Sequence, residues 1–293
     1  MSKAGVGTFL PLLFLLAAGA SGQPEEPFRP KGAYNNSVHQ FHPDLEARLN
    51  VVRFERWRTL EIAWESGLTD QADREISAFA LLLAKHPPRF PPEADRVAPL
   101  LARDASPIFR ALRWGQALEQ QLLDVLASSD AGERQSAARL DRALLLYQRE
   151  RWALSEPTEP AVAGPSLETT AAWRIEMAGA RLFARAAADL TTPDYAQQRW
   201  LVKQTIADFD RASDGDRPAE MGTDAASAPA AAEAFPGVTK ALDRVEQLRR
   251  DVLEALAPGD ATLEARQKRA ERLRGVARRY GLPDSGIGAA QWP

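Results

Sequence analysis

The chain has 293 residues, 45% of them apolar, a formal net charge of −3 and no cysteine. That length and apolar content supply one large core or two small ones, and the weak charge leaves no footprint for nucleic acid or an anionic membrane surface. Without cysteine there is no disulfide, thiolate metal site, lipoprotein attachment or covalently held c-type haem.

Lys3, the apolar run from Phe9 to Ala18 and the small-residue steps Ala18-Gly19-Ala20 and Ala20-Ser21-Gly22 predict a cleaved secretory signal over residues 1–22. An uncleaved N-terminal anchor is the alternative. The apolar run is short for a bilayer span, and no second run approaches membrane length. The expectation is an exported chain, periplasmic or secreted, with no membrane span once mature. Arginine outnumbers lysine and alanine is abundant, as in high-GC bacterial proteins.

Residues 23–42 hold three prolines and read as an extended leader. Pro43 then suits a first helical position and Gly67 the position past a helix end. Between them Leu45, Leu49, Val52, Leu60 and Ala63 recur at helical steps, widened by Trp57 and Trp64. Arg56 stands in the middle of that stripe, and Arg53 at its edge.

Thr69 and Asp70 open a helix to about Lys85, with Ile76, Phe79, Ala80 and Leu83 inward. The run from His86 to Pro92, HPPRFPP, breaks the chain. A short helix over 93–103 is ended or kinked near Pro99. Ser106-Pro107 starts a helix to about Ala127 whose apolar face, Ile108, Leu112, Gly115, Leu122 and Leu126, carries Glu119 at its centre. Asp130 caps the next, with Ala137, Leu140, Leu144 and Tyr147 inward.

Residues 154–165 have linker composition and separate an N-terminal helical half, 43–153, from a C-terminal half, 166–281. Ser166 caps a helix with a small-residue face including Ala178 and Gly179, and Thr192-Pro193 starts another. Residues 213–237 form a mobile loop. Helices from Val238 to Leu256 and from Thr262 to Tyr280 follow, and the tail, 282–293, is expected to lie loose. No stretch alternates with a period of two. The fold class is all-α, with eight to nine amphipathic helices in a bundle or helical array and no β-sheet.

An inward arginine and an inward glutamate are both costly unless paired. The economical solution is that Arg56 and Glu119 meet across a helix contact. Arg53, Arg56, Trp57, Glu61 and Glu119 are therefore the candidate ligand-binding set, arginine favouring carboxylate or phosphate. Glu61, between Trp57 and Trp64, or Glu119 would be the carboxylate of an enzyme, since apolar surroundings raise a carboxyl pKa. His39 and His42 are the candidate metal ligands, for zinc or copper, with His86 to complete a site.

No Gly-x-Ser-x-Gly, phosphate-cradling glycine loop or Glu-x-x-His pair occurs, and no cofactor is assigned. Trp114 and Trp173 fall off the apolar stripes, so one or both should be exposed in the isolated chain. The leading expectation is a non-enzymatic, protein-interacting accessory protein of the bacterial periplasm. A small-ligand or metal binder is the alternative, and a carboxylate-dependent enzyme ranks third.

Overall fold

A computed structural model describes residues 36–128, 133–158, 167–214 and 235–288. The signal, most of the leader, Asp130, Ser166, most of the 213–237 loop and Trp292 lie outside the described residues. Among the described residues there are eleven helices: α1 Ser37–Phe41, α2 Pro43–Ser66, α3 Asp70–Lys85, α4 Ala94–Val97, α5 Pro99–Asp104, α6 Ser106–Ala127, α7 Glu133–Arg149, α8 Ala171–Leu190, α9 Tyr195–Asp214, α10 Pro236–Leu256 and α11 Leu263–Arg279. The all-α class holds. The count exceeds expectation because Ala98-Pro99 splits 93–103 into two helices and because the end of the leader is helical.

Local chemistry sets the helix starts. Thr69, Thr170 and Thr262 accept the N–H of Ala72, Trp173 and Ala265, satisfying first-turn donors. Thr170 is thus the cap of α8, four residues after the predicted Ser166. Pro43, Pro99, Pro107 and Pro236 open α2, α5, α6 and α10.

Helices without a cap of their own borrow one. Asp124 of α6 accepts from Asn36 N and Val38 N, each at 3.0 Å. That is why α1 forms where an extended leader was expected: its donors are met from another helix, and Val38 is wholly buried. Glu61 of α2 accepts from Leu100 N at 2.8 Å and Leu101 N at 3.0 Å at the start of α5. At the start of α8, which Thr170 already caps, Asp73 adds a second acceptor, taking Ala171 N at 2.5 Å.

α2 is the hub. It touches α1, α3, α4, α5, α8, α9, α10 and α11, and it is buried nearly all round rather than along one stripe. Glu46, Asn50, Arg53, Glu55, Arg56, Thr59 and Glu61 are buried with its apolar residues. Two apolar clusters meet along it. One contains Leu60, Trp64, Leu101, Ile108, Leu248 and Tyr280. The other contains Leu45, Val52, Leu118, Leu182, Val202 and Leu242. Each cluster draws on residues before and after 154–165.

Glycines permit two close crossings. A Cβ on Gly179 of α8 would lie 2.5 Å from Val52 Cγ1, and one on Gly115 of α6 would lie 2.5 Å from Val245 Cγ1. At the far end of α2, the fully buried Arg269 donates to the carbonyls of Trp64 at 3.2 Å, Glu65 at 3.1 Å and Pro258 at 3.4 Å. A cation there meets the negative ends of α2 and α10 together. Burial and then the neighbouring Arg266 lower its pKa to about 10.

The tail is not loose over 282–288. Leu282 and Ile287 are buried, Ile287 bridges Ala105, and Gly288 N donates to Asp104 O at 2.9 Å. Trp114 is also buried, its indole N–H donating to Tyr147 O at 3.0 Å, and Trp173 is half-buried against the first cluster. Neither is fully exposed as expected: α7 covers Trp114, and Trp173 keeps part of its surface in solvent. Trp200 of α9 is the exposed tryptophan among the described residues, at 58%.

Candidate functional site

The inward arginine and glutamate open onto a larger buried cluster. Arg56 Nη1 lies 4.0 Å from Glu119 Oε1, so the predicted pair exists, but each has a nearer partner. Arg56 Nε sits 3.0 Å from Glu176 Oε2 of α8, and Nη2 sits 3.1 Å from Glu246 Oε1 of α10. Arg249 Nη1 of α10 donates to Glu119 Oε1 at 2.6 Å and Glu246 Oε1 at 2.8 Å. Two guanidiniums and three carboxyls thus share one desolvated site built from four helices. Gly179 leaves room for it, since a Cβ there would stand 3.0 Å from Arg56 Cζ.

Burial sorts these carboxyls. It raises the pKa of Glu176, an effect only partly offset by Arg56. Burial also acts to raise Glu246, but Arg56 and Arg249 outweigh it and hold that carboxyl below its usual range. Burial alone would lower Arg249; Glu119, Glu246 and Glu176 reverse that and raise it.

The space between Arg53, Arg56, Trp57, Leu112, Glu119 and Arg249 is about 10 Å³, room for one water at most. Arg56 and Glu119 therefore bound no ligand-sized cavity. Trp57 belongs to the same wall, its indole N–H donating to Gln116 Oε1 at 2.8 Å. Glu61 points away, to α5. Burial raises its pKa against the two backbone donors it accepts.

One turn earlier on α2 the surroundings change. Arg53 Nη1 donates to Glu46 Oε1 at 2.8 Å and to Asn50 Oδ1 at 2.7 Å, while Nη2 donates to Gln120 Oε1. This group forms one wall of an open cleft of about 350 Å³. The 86–93 loop, pinned where Asn50 Nδ2 donates to Pro88 O at 3.3 Å, forms a second wall, and α6 forms a third. The lining includes His39, Arg89, Phe90, Arg113, Gln116 and Gln121. Two buried acceptors in these walls, Glu46 Oε2 and Gln121 Oε1, have no hydrogen-bond partner.

The two histidines diverge. His39 is exposed at the cleft and stacks on Phe90, ring centroids 6.2 Å apart. His42 is buried, its Nε2 3.2 Å from Gln198 Oε1, beside Tyr195. Burial lowers its pKa, with the Gln198 contact opposing and Arg199 adding to the shift. Among the described residues no group of three or more His, Asp and Glu side chains is placed to hold a metal. No helix among them is long and apolar enough to cross a membrane.

The sequence pointed to Glu46 only as a carboxylate near His39 and His42, and it gave no sign of Arg89, Arg113, Gln121, Glu176, Glu246 or Arg249 as site residues. Part of this was legible: Glu46, Asn50 and Arg53 follow the i, i+4, i+7 spacing of one helix face, and Gln116, Gln120 and Gln121 crowd one stretch of α6. No protein-family model matches the chain, and no curated protein or solved structure matches it.

Proposed function

We propose that the protein is an exported, non-enzymatic binding protein that holds a small polar molecule in the cleft between α2, the 86–93 loop and α6. The carrying observation is the cleft itself. At about 350 Å³ it falls in the range of small-molecule sites, and polar and charged side chains, among them Arg53, Arg89, Arg113 and Gln116, line it. Export rests on the signal-like N-terminus. The carboxylates singled out for chemistry are engaged otherwise, Glu61 by two backbone donors and Glu119 by Arg249, which favours binding over catalysis.

The test is thermal melting with sugars, amino acids, carboxylates and phosphates. A ligand at about a hundred times its Kd adds about 2.7 kcal/mol, roughly 5–10 °C for a chain of this size. Ala117→Trp, which fills the cleft from α6, should erase the shift. A shift that survives this substitution places the ligand elsewhere.

A protein-partner role keeps support from Trp200 and Tyr195 on α9 and Leu81 and Leu82 on α3, all exposed on helices that touch. A photo-crosslinker at position 200 should then give one discrete adduct in cells; a smear or nothing removes that role.

A further inference from the structure

The charge of the cleft sharpens the reading above, on which this inference rests. Of its charged side chains, Arg53 is matched by Glu46 at 2.8 Å, and Glu93 by Arg96 at 2.6 Å. The remaining two are Arg89 on the loop and Arg113 on α6. Neither has an ion-pair or hydrogen-bond partner among the described residues, whereas most of the protein's inward arginines are tied to carboxylates. The cleft therefore presents two unmatched positive charges and no unmatched negative charge at its open face. A guanidinium is a planar fork whose donors fit carboxylate and phosphate oxygens in pairs.

Phe90, 72% exposed, lines the same cleft, followed by Pro91 and Pro92 and stacked on the His39 ring. An exposed phenylalanine on a proline-stiffened loop at the rim of a charged cleft offers an apolar face to whatever carries the anion. We propose that the cleft takes a small organic oxyanion, a carboxylate or a phosphate monoester on a ring or other apolar body. Arg89 and Arg113 hold the anion and Phe90 packs on the body.

The test is titration calorimetry on the full chain with benzoate, phenyl phosphate, acetate, inorganic phosphate and neutral benzyl alcohol. Benzoate or phenyl phosphate should bind, and whichever binds more tightly identifies the anion. Arg89→Gln and Arg113→Gln should each weaken that binding about tenfold or more, as expected for losing a charge-assisted pair. Phe90→Ala should bring the ring compound down to the level of acetate or inorganic phosphate. Both arginines are at least partly exposed, and unchanged circular dichroism would confirm that the variants fold.

Benzyl alcohol binding as well as benzoate, with the arginine variants unaffected, overturns the anion while leaving the cleft as a binding site. Oxyanion binding indifferent to both arginine variants and to Ala117→Trp overturns the anion and the cleft together. No binding by any of the five at millimolar concentration overturns the anion. A melting shift with some other neutral compound would then be what keeps the cleft.

Discussion

Arg53 and Arg56 stand one turn apart on the same buried helix, and their surroundings diverge. Arg56 faces carboxyls from α6, α8 and α10, with about 10 Å³ of free space beside it. Arg53 is tied to Glu46 and Asn50 of its own helix and to Gln120, and its wall opens on about 350 Å³. Residue type and burial are the same; the difference is how many helices converge. Where four meet, each charged group lies within 3.1 Å of an opposite charge and only about 10 Å³ stays free. Where a loop replaces the fourth helix, the space stays open and two more arginines are left unanswered. A buried charge is thus a poor guide to function until its neighbours are counted.

The comparison breaks first if the closed side proves expendable. Arg249→Met takes the near cation from Glu119, leaving it Arg56 at 4.0 Å, leaves Glu246 with Arg56 alone, and should cost about 3–5 kcal/mol in urea denaturation. Pairing it with Glu119→Leu should recover much of that, since apolar side chains of similar volume commonly replace buried ion pairs without loss. A loss under about 1 kcal/mol for the single variant would mean that water reaches the cluster.

Gly179→Ala probes the closure sterically. The new methyl meets Val52 at 2.5 Å and the Arg56 guanidinium at 3.0 Å, and overpacking of this kind costs about 1–3 kcal/mol. Gly275→Ala is the matched control. It lies within α11 with nothing within 4 Å of a Cβ, so it should gain roughly 0.5–1 kcal/mol from helix propensity. Equal effects from the two would contradict a tight α2–α8 crossing.

Glu55 sharpens the comparison through pH. It is buried on α2, has no hydrogen-bond or ion-pair partner among the described residues, and burial pushes its pKa from an ordinary 4.5 to about 8, against the pull of Arg56. Folded protein keeps this proton up to about pH 8, while the unfolded chain releases it near pH 4.5. Between those values the unfolded state binds fewer protons, so unfolding becomes easier as pH rises. The contribution is full below pH 4.5 and gone above about pH 8. Its slope is about 1.4 kcal/mol per pH unit. Glu55→Gln should remove that slope from the stability profile; an unchanged profile would mean Glu55 is ionised and solvated in the fold.

Much of the fold was legible because proline, threonine and glycine fix helix ends through short-range chemistry. The spans of α2, α3 and α6 follow from Pro43, Gly67, Thr69 and Pro107. What was not legible depends on residues far apart in the chain. α1 exists because Asp124 caps it, and the start of α5 is capped by Glu61, neither of which has a local signature. Arg56 and Glu119 were visible as anomalies because each interrupts an apolar stripe. Glu176 and Arg249 were not, since neither interrupts the apolar stripe of its helix. The open cleft was hidden for the opposite reason: Arg89 and Arg113 look like ordinary surface arginines, and only the fold places them around one space.

The smallest expected effect is the most discriminating. If Arg89 and Arg113 are unmatched in the ligand-free protein, replacing either with glutamine removes no interaction and strands no carboxylate. Stability should then stay within about 0.5 kcal/mol of the unmodified protein in urea denaturation, at both low and high salt. Two like charges facing one cleft also repel, so the double variant should be equal or slightly more stable at low ionic strength, with the gain screened by salt. A loss above about 1 kcal/mol from either variant would reveal an internal partner, turning the cleft into another structural charge site like that of Arg56. Neutral stability combined with impaired oxyanion binding would separate the two arginine environments of this protein: one that holds helices together, and one left free to hold something else.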